Sequence, residues 1–115
     1  MIKIINVLRN ESLTKEIEVH DNVKDKNWEV MSDYHFGGYA KTTAELQSFA
    51  QNFYSNYKIP LDPIYNSKLF YAMHDLMKSN EIKKRANVLI INTGGYQGIN
   101  AYDYVNDKPW IRDYK

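Results

Sequence analysis

Apolar residues recur along this chain with two different periods, and the polar gaps between them mark where elements start and stop. Residues 1–8 carry Ile2, Ile4, Ile5, Val7 and Leu8, a short dense run that predicts a strand covered on both faces. Leu13 and Ile17 then recur at helical spacing and predict a short helix over 11–19, whereas the charged, aperiodic residues 21–27 read as a loop. Trp28, Val30 and Tyr34, around Met31, predict an extended segment that runs into the glycine pair Gly37–Gly38.

The next pattern is helical. Thr42 and Glu45 have the spacing of a capping box, in which each side chain satisfies a free backbone N–H of the first turn, and Leu46, Phe49, Ala50, Phe53, Tyr54 and Tyr57 then share one face. Pro60 and Pro63 end that helix, since each lacks a backbone donor and disfavours helix in the residue before it. Ser67 is placed to cap a second helix with Leu69, Phe70, Met73, Leu76 and Met77 on one side, and residues 80–86 supply a turn. Val88-Leu89-Ile90-Ile91, bounded by Thr93-Gly94-Gly95, predicts a buried parallel strand. Strand, helix, helix and strand in succession make one α/β unit over residues 1–115, with ligands expected at the carboxyl ends of strands.

Composition narrows the classes of function. A chain of 115 residues, 43% apolar, can build one small core, although ten tyrosines favour a boundary between core and pocket over a dry interior. Fifteen basic against fourteen acidic residues leave a net charge of +1, which gives no broad footprint for nucleic acid or a membrane surface. The basic triplet Lys83-Lys84-Arg85 reads as a solvated turn. There is no cysteine, hence no disulfide scaffold, thiolate metal site or cysteine nucleophile; with no apolar run of membrane-spanning length, a cytoplasmic location is expected. His20, His35 and His74 are scattered without ligand spacing, so no metal is expected; serine nucleophile elbows, Walker loops and dinucleotide fingerprints are also missing.

Candidate chemistry collects in three segments: Asp33-Tyr-His-Phe-Gly-Gly-Tyr-Ala-Lys41, Leu61-Asp-Pro-Ile-Tyr-Asn-Ser-Lys68 and Asn92-Thr-Gly-Gly-Tyr-Gln-Gly98. By themselves they allow bland readings: Gly37–Gly38 a tight turn, Tyr39 and Tyr65 packed aromatics, Thr93–Gly94 a strand-to-loop turn, Lys68 a surface or supporting salt bridge, His74 a structural residue on a helix flank. In order and spacing, however, the three segments resemble part of the pyridoxal-phosphate enzymes grouped as 1-aminocyclopropane-1-carboxylate deaminase and D-cysteine desulfhydrase. The resemblance spans nearly the whole chain but only about the last third of a full-length member.

That resemblance implies a partial three-layer α/β/α large domain of the tryptophan synthase β-subunit-like (type II) pyridoxal-phosphate fold. It implies Tyr39 and Tyr65 as catalytic residues toward a small amino-acid substrate, and Asn66, Thr93 and Gly94 as residues on the ring side of the cofactor. A Tyr65 phenol with its pKa lowered by a neighbouring positive charge would serve as acid, base or nucleophile. The family's Schiff-base lysine and phosphate-binding loop have no counterpart here, so Lys68 is not the cofactor lysine and the chain alone is expected to be inactive. Asn66 stands where the deaminases carry a glutamate and the desulfhydrase-like members a threonine, and Ser67 where the latter carry glycine. A neutral amide adds no charge to hold a pyridine nitrogen protonated, which favours β-elimination from a D-amino acid over ring opening. Missing strands would leave an apolar edge for a homodimer partner or for the absent part; the alternative reading is a non-catalytic interaction module or a subunit of a split enzyme.

Overall fold

The computed structural model describes residues 2–7, 15 and 27–114. The helix expected over 11–19 and the loop over 21–27 lie outside the described residues, apart from Lys15 and Asn27. Within them the chain forms β1 (Ile2–Ile5), β2 (Trp28–Met31), α1 (Ala44–Tyr57), α2 (Asn66–Lys78) and α3 (Tyr96–Asn106), an α/β arrangement with a two-stranded parallel sheet. Ile2 pairs with Trp28 and Ile5 with Met31; flanking bonds from Ile2 N to Asn27 O (3.0 Å) and from Asn6 N to Met31 O (2.9 Å) lengthen the ladder at both ends. Lys3 and Glu29, directly opposite in register, form an ion pair.

After β2 the chain turns twice through Phe36–Lys41. Phe36, Gly37, Gly38 and Ala40 all have positive φ, at 55°, 103°, 121° and 58°. Glycine adopts this region freely, whereas Phe36 and Ala40 each store strain on the order of 1 kcal/mol that the surroundings must offset.

The cap of α1 falls one residue later than the sequence pattern suggests. Thr43 is the N-cap and its Oγ1 accepts from Leu46 N at 3.1 Å. Glu45 is therefore not the partner in a capping box; its carboxylate accepts the Tyr71 hydroxyl from α2 instead. Threonine stands at both 42 and 43, and tertiary pairing of Glu45 decides between them. The aromatic face is as expected: Phe53 meets Phe70 edge-on at 5.2 Å and Phe49 meets Tyr71 at 5.3 Å, so α1 and α2 pack through rings. Leu46 and Ala50 on α1, Ile99 on α3, and Trp110 and Ile111 beyond α3 form the buried core, with Phe36, Tyr54, Tyr71, Tyr102 and Tyr114 packed against it.

Residues 88–91 depart from expectation. They pair in no ladder, and Val88, Leu89 and Ile91 are exposed, Leu89 by 88%. A continuous β-branched run has the propensity for a buried strand, but propensity makes no sheet without a neighbouring strand to take up its N–H and C=O groups. Among the described residues no such neighbour reaches it. No helix among them is long and apolar enough to cross a membrane.

Two tyrosines between the helices give an alkaline prediction. The Tyr34 hydroxyl donates to Asp75 Oδ2 at 2.7 Å and Tyr71 donates to Glu45. Burial and then Asp75 raise Tyr34, while the Glu45 hydrogen bond first and burial second push Tyr71 up to about 12. An unfolded phenol ionises near pH 10, so above that value the unfolded chain binds fewer protons than the folded one and stability falls as pH rises. Urea midpoints should decline from about pH 10 upward. The decline should be shallower in Tyr71→Phe than in the unaltered chain; equal slopes would rule Tyr71 out as a source.

Candidate functional site

Two short motifs meet at the start of α2. Asp62 and Pro63 open the turn 63–65 that leads into α2, a carboxylate followed by a proline whose missing N–H leaves one orphan donor fewer. Asp62 is fully buried, and its carboxylate accepts from Ile64 N (2.9 Å), Tyr65 N (2.8 Å), Asn66 N (2.9 Å) and Asn66 Nδ2 (2.7 Å). The Ser67 side chain makes no cap; its Oγ is buried without a hydrogen-bond partner among the described residues. The N-cap position is Tyr65, without a side-chain bond, and the role expected of Ser67 is filled from Asp62, five residues before it, whose carboxylate reaches the N–H groups of the turn entering α2.

Asn66 is the knot of the site. With Nδ2 turned to Asp62 and also to Gly94 O (3.0 Å) and Thr93 Oγ1 (3.3 Å), its Oδ1 accepts from Thr93 N (3.2 Å). These bonds bring Asn66, Thr93 and Gly94 together across 27 and 28 residues of chain. They occupy both ends of the amide, and the exposed Thr93 hydroxyl, which accepts from Asn66 Nδ2, also donates a long bond to Asn66 Oδ1 at 3.4 Å. Gly95 completes the arrangement at φ 73°: a Cβ there would lie 2.9 Å from Asp62 Cγ, so only glycine lets the 92–95 turn close over the carboxylate.

Tyr39 and Tyr65 are also brought together, their ring centroids 6.3 Å apart and tilted by 60°. Both are open to solvent, by 57% and 46%. The Tyr65 phenol is raised from its ordinary value, by burial first and then by its hydrogen bond with Tyr39. The shift is upward, so the condition of a lowered pKa set out for Tyr65 is not met among the described residues.

Lys68 departs furthest from its sequence reading. It is fully buried and makes no surface salt bridge; Nζ donates to His35 O (2.7 Å) and Gly38 O (2.9 Å). Burial lowers its pKa, and the charge of Asp62 opposes that shift. His35 is an acceptor, taking Gly37 N on Nδ1 at 2.9 Å, and the His74 ring lies 5.7 Å from that of Phe49, tilted by 55°. Among the described residues no three metal-ligating side chains cluster. A cleft of about 490 Å³ between α1 and the C-terminal segment is lined by Gln47, Gln51, Asn52, Lys108, Trp110 and Arg112, and none of the expected site residues borders it.

Sequence reasoning missed Asp62 and Gly95 and misjudged Lys68. The Asp62-Pro63 dipeptide was a readable signal; the burial of Lys68 was not, because long-range carbonyl acceptors leave no mark in the sequence.

No family model matches the chain, and no solved structure matches it significantly. Curated relatives do. A protein of Pyrococcus horikoshii, provisionally named as a 1-aminocyclopropane-1-carboxylate deaminase, is 34% identical over 92 residues, 80% of this chain and 28% of its own length. A Thermotoga maritima protein with the same provisional name is 35% identical over 79 residues, covering 69% of this chain and 24% of its own length. The 1-aminocyclopropane-1-carboxylate deaminase of Bradyrhizobium sp. ORS 278 is 27% identical over 88 residues, 76% of this chain and 26% of its own length. The chain therefore spans about a quarter of the length of the curated relatives it matches and, over that stretch, belongs to the 1-aminocyclopropane-1-carboxylate deaminase family.

Proposed function

We propose that this chain is the C-terminal part of a pyridoxal-phosphate-dependent deaminase or lyase acting on a small amino acid, and that it supplies the ring-side and substrate-side wall of the site. The observation that carries this reading is the Asn66–Thr93–Gly94 junction lying one residue along from Tyr65, which itself faces Tyr39. Pyridoxal phosphate, when bound, supplies the electron sink that acidifies the carbon next to the amino group. The residues fit its ring edge: the Thr93 hydroxyl is a neutral partner for a pyridine nitrogen, and Ser67 Oγ, buried and unpartnered among the described residues, leaves one polar group beside Asn66 to be satisfied. The start of α2 offers little to a phosphate, since Asn66 N and Ser67 N are taken by the carboxylate and the carbonyl of Asp62.

In this reading Tyr65, kept neutral, donates a hydrogen bond or proton on the substrate side, with Tyr39 ordering it. Asp62 is spent on backbone donors and Asn66 is neutral, so neither would offer a carboxylate to the ring nitrogen, and a cofactor held this way would favour release of a β-leaving group, as from D-cysteine, over opening a cyclopropane ring.

A second reading is favoured by the exposed Val88, Leu89 and Ile91. Residues 88–91 join no ladder among the described residues, which suits strand pairing with the remainder of a deaminase-like chain, as a split subunit would require.

The test is a chimera in which this chain replaces the matched part of the Pyrococcus horikoshii relative. It should release sulfide from D-cysteine faster than it opens 1-aminocyclopropane-1-carboxylate, and Tyr65→Phe should lower kcat by roughly 100-fold with cofactor absorbance unchanged. The purified chain alone should turn over neither substrate. Faster ring opening would overturn the elimination preference, and a cofactor-loaded chimera indifferent to both Tyr39→Phe and Tyr65→Phe would overturn the wall itself.

A further inference from the structure

We propose that Lys68 is the positioning residue that sets Tyr39 opposite Tyr65, by fastening the carbonyls of His35 and Gly38 to the first turn of α2. Each of those carbonyls already closes a tight turn: His35 O accepts from Gly38 N at 3.1 Å, and Gly38 O accepts from Lys41 N at 3.1 Å. Tyr39 lies inside the second turn. The turn bonds fix each turn internally but not the angle between them, because the joint is Gly37–Gly38, at φ values of 103° and 121° that only glycine adopts freely. Lys68 Nζ binds both carbonyls at once, at 2.7 and 2.9 Å, and so removes that freedom.

Three further observations give the same assignment. Tyr39 is 57% exposed and has Tyr65 as its ring neighbour, so packing does little to hold it. Lys68 lies in the first turn of α2, three residues after its N-cap Tyr65, so the residue that fixes the loop and the residue the loop must meet are joined through one helix start. Burying an ammonium on neutral carbonyls is unfavourable compared with burying an apolar side chain of the same length, and a helix needing only a filled core would carry the latter. That the tyrosine pair faces a substrate rests on the function proposed above; the placement of Tyr39 does not, and it can be measured on the chain without cofactor.

The experiment is NMR on the full chain. Lys68→Met, close in length and uncharged, should abolish the cross-relaxation between the Tyr39 and Tyr65 rings and speed exchange of the Gly38 and Lys41 amides by roughly 10-fold or more. Leu76→Ala, a core truncation on the same helix, should lower stability while leaving both readouts in place. A folded Lys68→Met chain that keeps the ring contact and the amide protection overturns the proposal. Should that variant not fold, the unaltered chain decides: a slowly exchanging Lys68 ammonium coupled to the His35 and Gly38 carbonyl carbons supports the assignment, and a rapidly exchanging, uncoupled ammonium overturns it.

Discussion

Replacing Asp62 by alanine is expected to lower the unfolding free energy by about 3–4 kcal/mol, among the largest effects of any single change in this chain. The carboxylate satisfies three backbone donors and the Asn66 amide in a place closed to water. Loss of these cap-like bonds accounts for about 1–2 kcal/mol of that figure, and stranding buried donors supplies the rest. The damage reaches the site, because Asn66 Nδ2 loses the acceptor that turns Oδ1 toward Thr93. Asp62→Asn should recover part of the loss, since its one oxygen still accepts while its NH₂ faces donors. Urea unfolding followed by circular dichroism gives the comparison; an alanine variant within about 1 kcal/mol of the unaltered chain would show that Asp62 does not close the entry to α2 in solution.

Trp110→Ala should be comparably severe, at about 3–5 kcal/mol. Trp110 is 1% exposed, donates Nε1–H to Leu61 O at 2.9 Å, and meets Tyr102 edge-on at 4.9 Å. Its backbone is tied as well: Trp110 N donates to Asp103 Oδ1 at 2.7 Å and its carbonyl accepts from Gln47 Nε2 at 3.2 Å. One indole thus joins α3, α1 and the 58–63 connection that delivers Asp62. Trp110→Phe retains most of the apolar contact and loses the Leu61 bond, and should cost about 1–2 kcal/mol. Since a small domain holds only about 5–15 kcal/mol in all, the alanine variant should show heightened proteolysis before the site when native protease digests are compared. Equal digestion rates would mean that the segment after α3 contributes little to holding the site.

Local pattern carried much of this into the sequence. The aromatic face of α1, the stop at Pro60 and Pro63 and the second helix after Tyr65 were all legible, because helical spacing and proline chemistry act within a few residues. The meeting of Tyr39 with Tyr65, and of Asn66 with Thr93, was legible only through the order of three segments shared with a known family. Residues 88–91 were misread for the opposite reason: a strand is a relation between two segments, and apolar spacing reports only one of them.

What the sequence by itself determined is therefore α1 and α2, the turns demanded by Gly37–Gly38 and the family to which the matched stretch belongs, whereas α3 went unpredicted. The tertiary structure alone decided which threonine caps α1, that the entry to α2 is closed by Asp62 rather than Ser67, that Lys68 lies inside on two carbonyls, and the tilt at which Tyr39 meets Tyr65. Each of the latter depends on a donor finding an acceptor across the fold or on exclusion of water, and neither distance nor burial is encoded in the spacing of residues along the chain.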